Sequence, residues 1–371
     1  MAELQFPDYQ NSIANLACSI LRHFGVEPPN ATLPAADRLL ETGAGNVVVI
    51  LVDGMGVRSL ETHLAQDGFF RRHLQCEYSS TFPPTTVAAT TAMDSGLFPN
   101  QSAWLGWTGY FQEVDRNLVY FWNQDADTGE SLPDDQSARA LAPYASVHDL
   151  LGRAGVASHF LARFLGERPQ SFSELCGLIQ GLCAAGGRRY VYAYWDEPDA
   201  SMHETGVDGE NIRRILEEVE AETERLAARL SDTLLLVTAD HGHINVNNRC
   251  ILDEPDICRL LTRMPSIEAR AVNLFVKPGL EARFEETFRS RFGEEFLLLT
   301  KEEVLDRQLL GTGPNHPRLS SMLGQYLAIG IGDTALPNNR KGYKGNHAGL
   351  TRAEMRIPLI AVACNGQPQP K

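Results

Sequence analysis

Eight residues, NVVVILVD (46–53), limit the fold more than any other part of the chain. Six consecutive apolar, largely β-branched positions end in Asp53, with Gly54 and Gly56 just beyond. A strand without polar alternation has to be covered on both faces, as parallel strands of α/β proteins are, and the glycines mark a loop leading to a helix. Comparable runs are YVYAYW (190–195), TLLLVTA (233–239), VNLFVKPG (272–279) and IPLIAVA (357–363). Helical spacing precedes them in NSIANLACSILRHFG (11–25), stopped by Pro28 and Pro29, and lies between them most clearly in GENIRRILEEVEAETERLAARL (209–230). Strands alternating with helices predict an α/β fold, a mostly parallel sheet with helices on both faces. The stretch 249–321 has its own βαβ-like pattern and reads as a small inserted α+β, cap-like subdomain. The remainder, 1–248 and 322–371, forms the core.

Composition narrows the function classes. The chain has 371 residues, with 43% hydrophobic and 22% charged, which excludes a disordered or fibrous protein. Lys and Arg total 33 against 47 Asp and Glu, a net charge of −14. Nucleic-acid polymers and anionic membranes need a positive footprint, so neither is an expected partner. A phosphate substrate would depend on bound cations for attraction. No apolar run approaches the ~18 residues of a membrane span. The start, MAELQFPDYQNS, has neither a basic nor an apolar leader pattern. Seven scattered cysteines without a C-x-x-C pair suit reduced thiols, so the expected location is cytoplasmic.

Open α/β sheets bind ligands just beyond the carboxyl ends of their strands. Here those ends carry Asp53, then Asp196 and Asp199, then Asp240 and His241. Each is ambiguous alone. Asp53 in VDGMG serves equally as a turn or cap residue. Asp199 and His203 in EPDASMH stand four apart, so one helical face presents both, as cation ligands or as a plain ion pair. Asp240 and His241 in TADHGH reach one ion only if the chain bends, which Gly242 permits. His243 reads as a neighbour of the site rather than a ligand. His347 in KGNHAG is a loop histidine. Thr85 and Thr86 in FPPTTVAATTAM fall at a helix start, where backbone N–H groups can hold a phosphate oxygen and where Thr is also an ordinary cap. A threonine hydroxyl needs a metal or a base to become a nucleophile. Together they offer three carboxylates, three imidazoles and a hydroxyl, a donor set that suits Zn²⁺, Mn²⁺ or Fe.

In this order VDGMG, PPTTVAATTAMDSGLFP, EPDxxxH, ADHG and GNHxG resemble the alkaline phosphatase superfamily, and most of all its nucleotide pyrophosphatase/phosphodiesterase (type I phosphodiesterase) branch, over about residues 45–363. That branch places its nucleophilic Thr ten residues before the Gly of a T-G-L-x-P-like segment. Gly96 of SGLFP is ten after Thr86, so the resemblance implies Thr86 as nucleophile, with Thr85 next in line. It implies an alkaline-phosphatase-like fold and two divalent cations, Zn²⁺ first, with Mn²⁺ or Fe as alternatives. Asp53, Thr86, Asp240 and His241 would hold one, and Asp199, His203 and His347 the other. The implied activity is that of a phosphodiesterase or nucleotide pyrophosphatase, cleaving small nucleotide-type phosphate esters through a covalent phosphothreonine. A phosphomonoesterase of the same superfamily and a non-catalytic metal-binding module stay open. A sulfatase lacks its C/S-x-P-x-R segment here, a phosphoglycerate-mutase-like enzyme would have Ser in place of Thr86, and VDGMGVRS does not fit a dinucleotide-binding G-x-G-x-x-G.

Two positions depart from the family pattern. NQSAWLGW (100–107) replaces the usual H-G pair, and Trp107 stands where an Asn often holds a phosphate oxygen. That contact is then expected from backbone N–H near Thr86 or Thr108. The aromatic group Trp104, Trp107, Tyr110 and Phe111 reads either as packing or as a stacking wall for a flat substrate group. Lys341 and Lys344 near His347 read either as a solvated loop or as phosphate contacts. Trp107, Thr108 and Lys344 are the candidate substrate contacts.

Overall fold

The computed structural model describes residues 3–164 and 168–365. Its central sheet has six strands in the order Leu74–Ser79, Arg356–Cys364, Thr233–Thr238, Asn46–Val52, Arg189–Trp195 and Ala157–Leu161. Asn46–Val52 lies between Thr233–Thr238 and Arg189–Trp195, parallel to both. Val47 through Val52 are each 0% exposed, so both faces are covered, as the unbroken apolar run requires. Burial of each such side chain stabilises the fold by roughly 1.5–3 kcal/mol.

The covering helices form two packed groups. Ile13–His23 packs on Thr86–Ser95 and Val147–Arg153, and Phe172–Ala184 packs on Glu210–Arg229. Ile13, Leu16 and Ile20 from the first group and Ile212, Leu216 and Val219 from the second enter the same core as the strands. The sheet is mixed. Arg356–Cys364 runs antiparallel to both its neighbours, so IPLIAVA is a buried strand but does not continue the parallel series.

A second, wholly antiparallel sheet stands beside the first. Its order is Phe296–Thr300, Tyr326–Gly330, Ala271–Leu274, Ser266–Glu268, Thr108–Phe111, Arg116–Val119 and Gln124–Asp125. VNLFVKPG supplies the strand Ala271–Leu274 here rather than in the central sheet. The second sheet therefore draws on 108–125 and on 326–330 as well as on the 249–321 stretch. Helix Glu281–Phe292 buries Phe284, Phe288 and Phe292 against it at i, i+4 spacing.

A fully buried ion pair fastens the two layers together. Arg270 and Glu354 are both 0% exposed, and Arg270 donates to both oxygens of Glu354 at 2.7 and 2.9 Å. Its remaining donors reach the carbonyls of Thr334 and Gly332. Glu354 also accepts from Gly349 N–H at 2.7 Å, and its own carbonyl accepts from Gly242 N–H at 2.9 Å. The ADHG and GNHAG segments are thus held by one residue.

Candidate metal centre and nucleophile

Strand ends and one loop bring the chemistry together. Asp53 follows Asn46–Val52 and donates its N–H to Trp195 O at 2.9 Å, while Asp199 N–H donates to Asp53 O at 3.2 Å. Gly54 turns the chain at φ 74°, and a Cβ there would meet Asp199 Cα at 3.1 Å and His243 Cδ2 at 3.2 Å. Both the backbone angle and the close approach select glycine. After Thr233–Thr238 the chain bends at Asp240, so Asp240 and His241 reach the same point despite being consecutive. Close packing is what requires Gly242, since a Cβ would lie 2.1 Å from Ala353 O.

The first cluster is Asp53, Asp240 and His241, with donor atoms within 4.8 Å of one another. His241 Nε2 lies 3.4 Å from Asp53 Oδ1 and 3.5 Å from Asp240 Oδ2. Thr86 Oγ1 stands 3.2 Å from His241 Nε2 and 3.4 Å from Asp53 Oδ2. Thr86 is the first residue of helix Thr86–Ser95, and Thr85 is its extended N-cap. The hydroxyl of Thr85 does not cap the helix; it donates to Glu268 Oε1 at 2.5 Å. Thr86, not Thr85, therefore faces the cluster.

The second cluster is Asp199, His203, His243 and His347. Helix Asp199–Thr205 places Asp199 and His203 four residues apart, with Asp199 Oδ2 and His203 Nε2 at 3.5 Å. His347 Nε2 is 4.0 Å from Asp199 Oδ1. His243 comes closer than sequence reading suggested, with its Nε2 2.5 Å from Asp199 Oδ1. Asp196 lies apart from both clusters and pairs with Arg163 at 3.0 Å.

Three features of the donor set fit divalent cations. Asp53 Oδ1 and Asp240 Oδ2 are buried without any hydrogen-bond partner, a costly state that a cation relieves. Their other oxygens are occupied: Asp240 Oδ1 accepts from Gly54 N–H and His241 N–H at 3.1 and 2.9 Å, and Asp53 Oδ2 accepts from Tyr194 OH. Backbone carbonyls fix the rings as well. Nδ1 of His203 faces Gly345 O at 2.9 Å, Nδ1 of His347 faces Pro84 O at 3.1 Å, and Nδ1 of His241 faces Gly242 O at 3.2 Å. An Nδ1–H donated to a carbonyl leaves Nε2 as the free lone pair, which is the tautomer a metal ligand needs.

The titration directions agree. Burial, reinforced by the neighbouring carboxylates of Asp199 and Asp240, pushes Asp53 well above the carboxylate range. Burial followed by the charge of Asp199 pushes Asp240 to about 7. Burial holds His241 down at about 3, and burial with the nearby His241 and His243 holds His347 well below its ordinary value. These imidazoles are neutral and able to coordinate.

A cavity of about 500 Å³ opens over the second cluster and Thr86. Trp107 and Thr108 line it. The Trp107 N–H is engaged, donating to Glu268 Oε1 at 2.8 Å, and Thr108 Oγ1 accepts from Ile267 N–H at 3.1 Å. Lys344 is exposed and does not line the cavity; its N–H donates to His203 O at 2.8 Å and its carbonyl accepts from Val246 N–H at 2.9 Å. Lys341 lines the cavity instead. The aromatic group divides: Trp104, Tyr110 and Phe111 are buried packing, while Trp107 reaches the cavity and meets the exposed Trp122 edge-on at 5.0 Å. Glu268, which nothing in the sequence singles out, sits between Thr85 and Trp107 at the cavity wall.

Residues 184–278 match the family model described as type I phosphodiesterase/nucleotide pyrophosphatase. Among curated proteins the chain is 23% identical over 334 residues to bis(5'-adenosyl)-triphosphatase ENPP4 of Bos taurus, covering 79% of this chain and 70% of that protein. It is 27% identical over 158 residues to the Mus musculus enzyme of the same name, covering 39% of this chain and 33% of that one. Among solved structures, an inactive variant of murine ectonucleotide pyrophosphatase/phosphodiesterase 5 in complex with AMP superposes with a TM-score of 0.62 at 16% identity, over 85% of this chain and 87% of that one. Phosphonoacetate hydrolase from Sinorhizobium meliloti 1021 gives 0.60 at 12% identity, over 87% and 91%. Both share the alkaline-phosphatase-like fold.

Proposed function

We propose that this chain, similar in sequence and fold to the nucleotide pyrophosphatase/phosphodiesterase branch of the alkaline phosphatase superfamily, is a metal-dependent hydrolase of phosphodiester or pyrophosphate bonds in small nucleotide-type molecules. The observation that carries the reading is the convergence of two unpartnered buried carboxylate oxygens, Asp53 Oδ1 and Asp240 Oδ2, beside Thr86 Oγ1 and His241 Nε2. Asp53, Thr86, Asp240 and His241 would hold one divalent cation, and Asp199, His203 and His347 a second. Bound there, Zn²⁺, Mn²⁺ or Fe supplies the Lewis acidity that makes a threonine hydroxyl nucleophilic at neutral pH and offsets phosphate charge. The chain supplies little positive charge of its own, with a net −14.

Thr86 Oγ1 forms a bond to phosphorus as the bond to the leaving alcohol or phosphate breaks, giving a covalent phosphothreonine. Water then displaces Thr86 from phosphorus and restores the hydroxyl. Asp53 and His241 orient the oxygen from two sides. The first-turn N–H groups of Thr86–Ser95 receive no capping side chain, which leaves them for a non-bridging phosphate oxygen in the role expected of the missing Asn. Seven unpaired cysteines support a reducing, cytoplasmic location.

The test compares bis-p-nitrophenyl phosphate with p-nitrophenyl phosphate for wild type and Thr86→Ala, before and after chelation. Diester hydrolysis that depends on metal and on Thr86 supports the proposal. A clear preference for the monoester overturns the diesterase assignment, and equal inactivity of both proteins favours a binding module.

A further inference from the structure

Glu268 is a carboxylate at the cavity wall that neither cluster uses. It ends the strand Ser266–Glu268 of the second sheet and crosses to the nucleophile segment. Its Oε1 accepts from Thr85 Oγ1 at 2.5 Å and from Trp107 N–H at 2.8 Å. Two donors fix one oxygen. Among the described residues, Oε2 has no hydrogen-bond partner, and the residue faces a cavity shared with Thr86, His203 and Tyr343.

The consequence is a carboxylate held beside the segment that carries Thr86, negatively charged once it is ionised. Asp199 and His203 act on Glu268 electrostatically, so the carboxylate lies within the field of the second cluster. Lys341 is the one lysine or arginine lining the cavity among the described residues, and it is exposed. An anion bound there meets Glu268 across a partly desolvated gap, where charges interact more strongly than in water.

We propose that Glu268 makes the site select phosphorus centres that carry one negative charge, favouring diesters over dianionic monoesters. This rests on the hydrolase reading above and assigns that site a specificity-determining residue. Both ester types are attracted to the cations, but the second charge of a monoester falls against Glu268 and is repelled. The same residue holds the Thr85 side chain off the helix terminus, so the charge and the open N–H groups share one origin. Burial raises Glu268 to about 7, so above that pH the repulsive charge is present.

Glu268→Gln removes the charge and keeps an acceptor oxygen for Thr85 and Trp107. The kcat/KM ratio for bis-p-nitrophenyl phosphate over p-nitrophenyl phosphate, which share a leaving group, is read at about pH 8.5, above that raised value. The expected result is a ratio about tenfold lower in the variant, roughly the effect of one weakened charge contact. Glu268→Met, neutral and of similar size, is read in the same way should the first variant not fold. An active wild type whose folded, metal-loaded variant keeps the same ratio overturns this inference alone. A wild type inactive on both esters overturns the hydrolase reading, and this one with it.

Discussion

The imidazole rings of His241 and His347 stack face to face, 3.8 Å between centroids and 20° between planes. One ring belongs to the Asp53 and Asp240 cluster, the other to the Asp199 and His203 cluster. The two clusters thus share a wall, and both rings must be neutral to lie so close, as burial makes them.

Removing one face of that wall should uncouple the pair. His347→Ala is expected to reduce bound divalent metal from two equivalents to one, with diester hydrolysis falling about 100-fold or more. Elemental analysis of the purified variant together with a rate measurement checks both. Retention of two equivalents would place His347 outside the second site.

His243 is expected to act through Asp199. Its Nε2 is 2.5 Å from Asp199 Oδ1 and its Nδ1 is buried without a partner. A partner that orients a ligand carboxylate typically contributes 10–100-fold to metal affinity. His243→Ala should weaken zinc binding by about that factor, measured by competition with a chelator, while Thr86 keeps its geometry.

The raised carboxyls predict how metal affinity depends on pH. A cation must displace any proton on its ligands, and Asp240 is held near pH 7 when no cation is bound. Above about pH 7 Asp240 is ionised and its own contribution to the slope ends. Below it, affinity falls by about tenfold per pH unit for each proton displaced, and Asp53, raised in the same direction, adds to the fall. His241, held down at about 3, is already neutral across this range and adds nothing. Zinc titration at several pH values checks the slope; an affinity that does not change between pH 5.5 and 7.5 (about the range set by these shifts) would contradict it.

The buried Arg270–Glu354 pair predicts a structural variant. Arg270→Ala leaves the Glu354 carboxylate buried and uncompensated, which typically costs about 3–5 kcal/mol. Because Glu354 also holds Gly242 and Gly349, the ADHG and GNHAG segments should loosen together. Denaturant unfolding with and without zinc measures the loss, and zinc should recover part of it by mass action.

What the sequence disclosed and what it hid follow from range. The strand Asn46–Val52 was legible because six apolar positions in a row leave a local signature, and Glu210–Arg229 because its apolar face repeats every three to four residues. Asp199 and His203 were legible as a pair because four residues of helix separate them. The antiparallel direction of Arg356–Cys364 was not, since an apolar run carries no direction. The joining of 108–125 to the second sheet was hidden because Thr108–Phe111 meets Ser266–Glu268 through a single register pair, more than 150 residues apart in sequence. Glu268 had no signal at all, being one carboxylate at the end of a three-residue strand. The part played by His243 is hidden because nearness to His241 in sequence says nothing of Asp199, which only the fold brings beside it.

We propose one cation in each cluster, the first in contact with Thr86 Oγ1. Crystals of the zinc-loaded protein, with anomalous scattering measured at the zinc edge, test it most directly. Two peaks are expected, one among Asp53, Thr86 Oγ1, Asp240 and His241 and one among Asp199, His203 and His347. Peaks located elsewhere, or a loaded protein in which those side chains bind nothing, would contradict it.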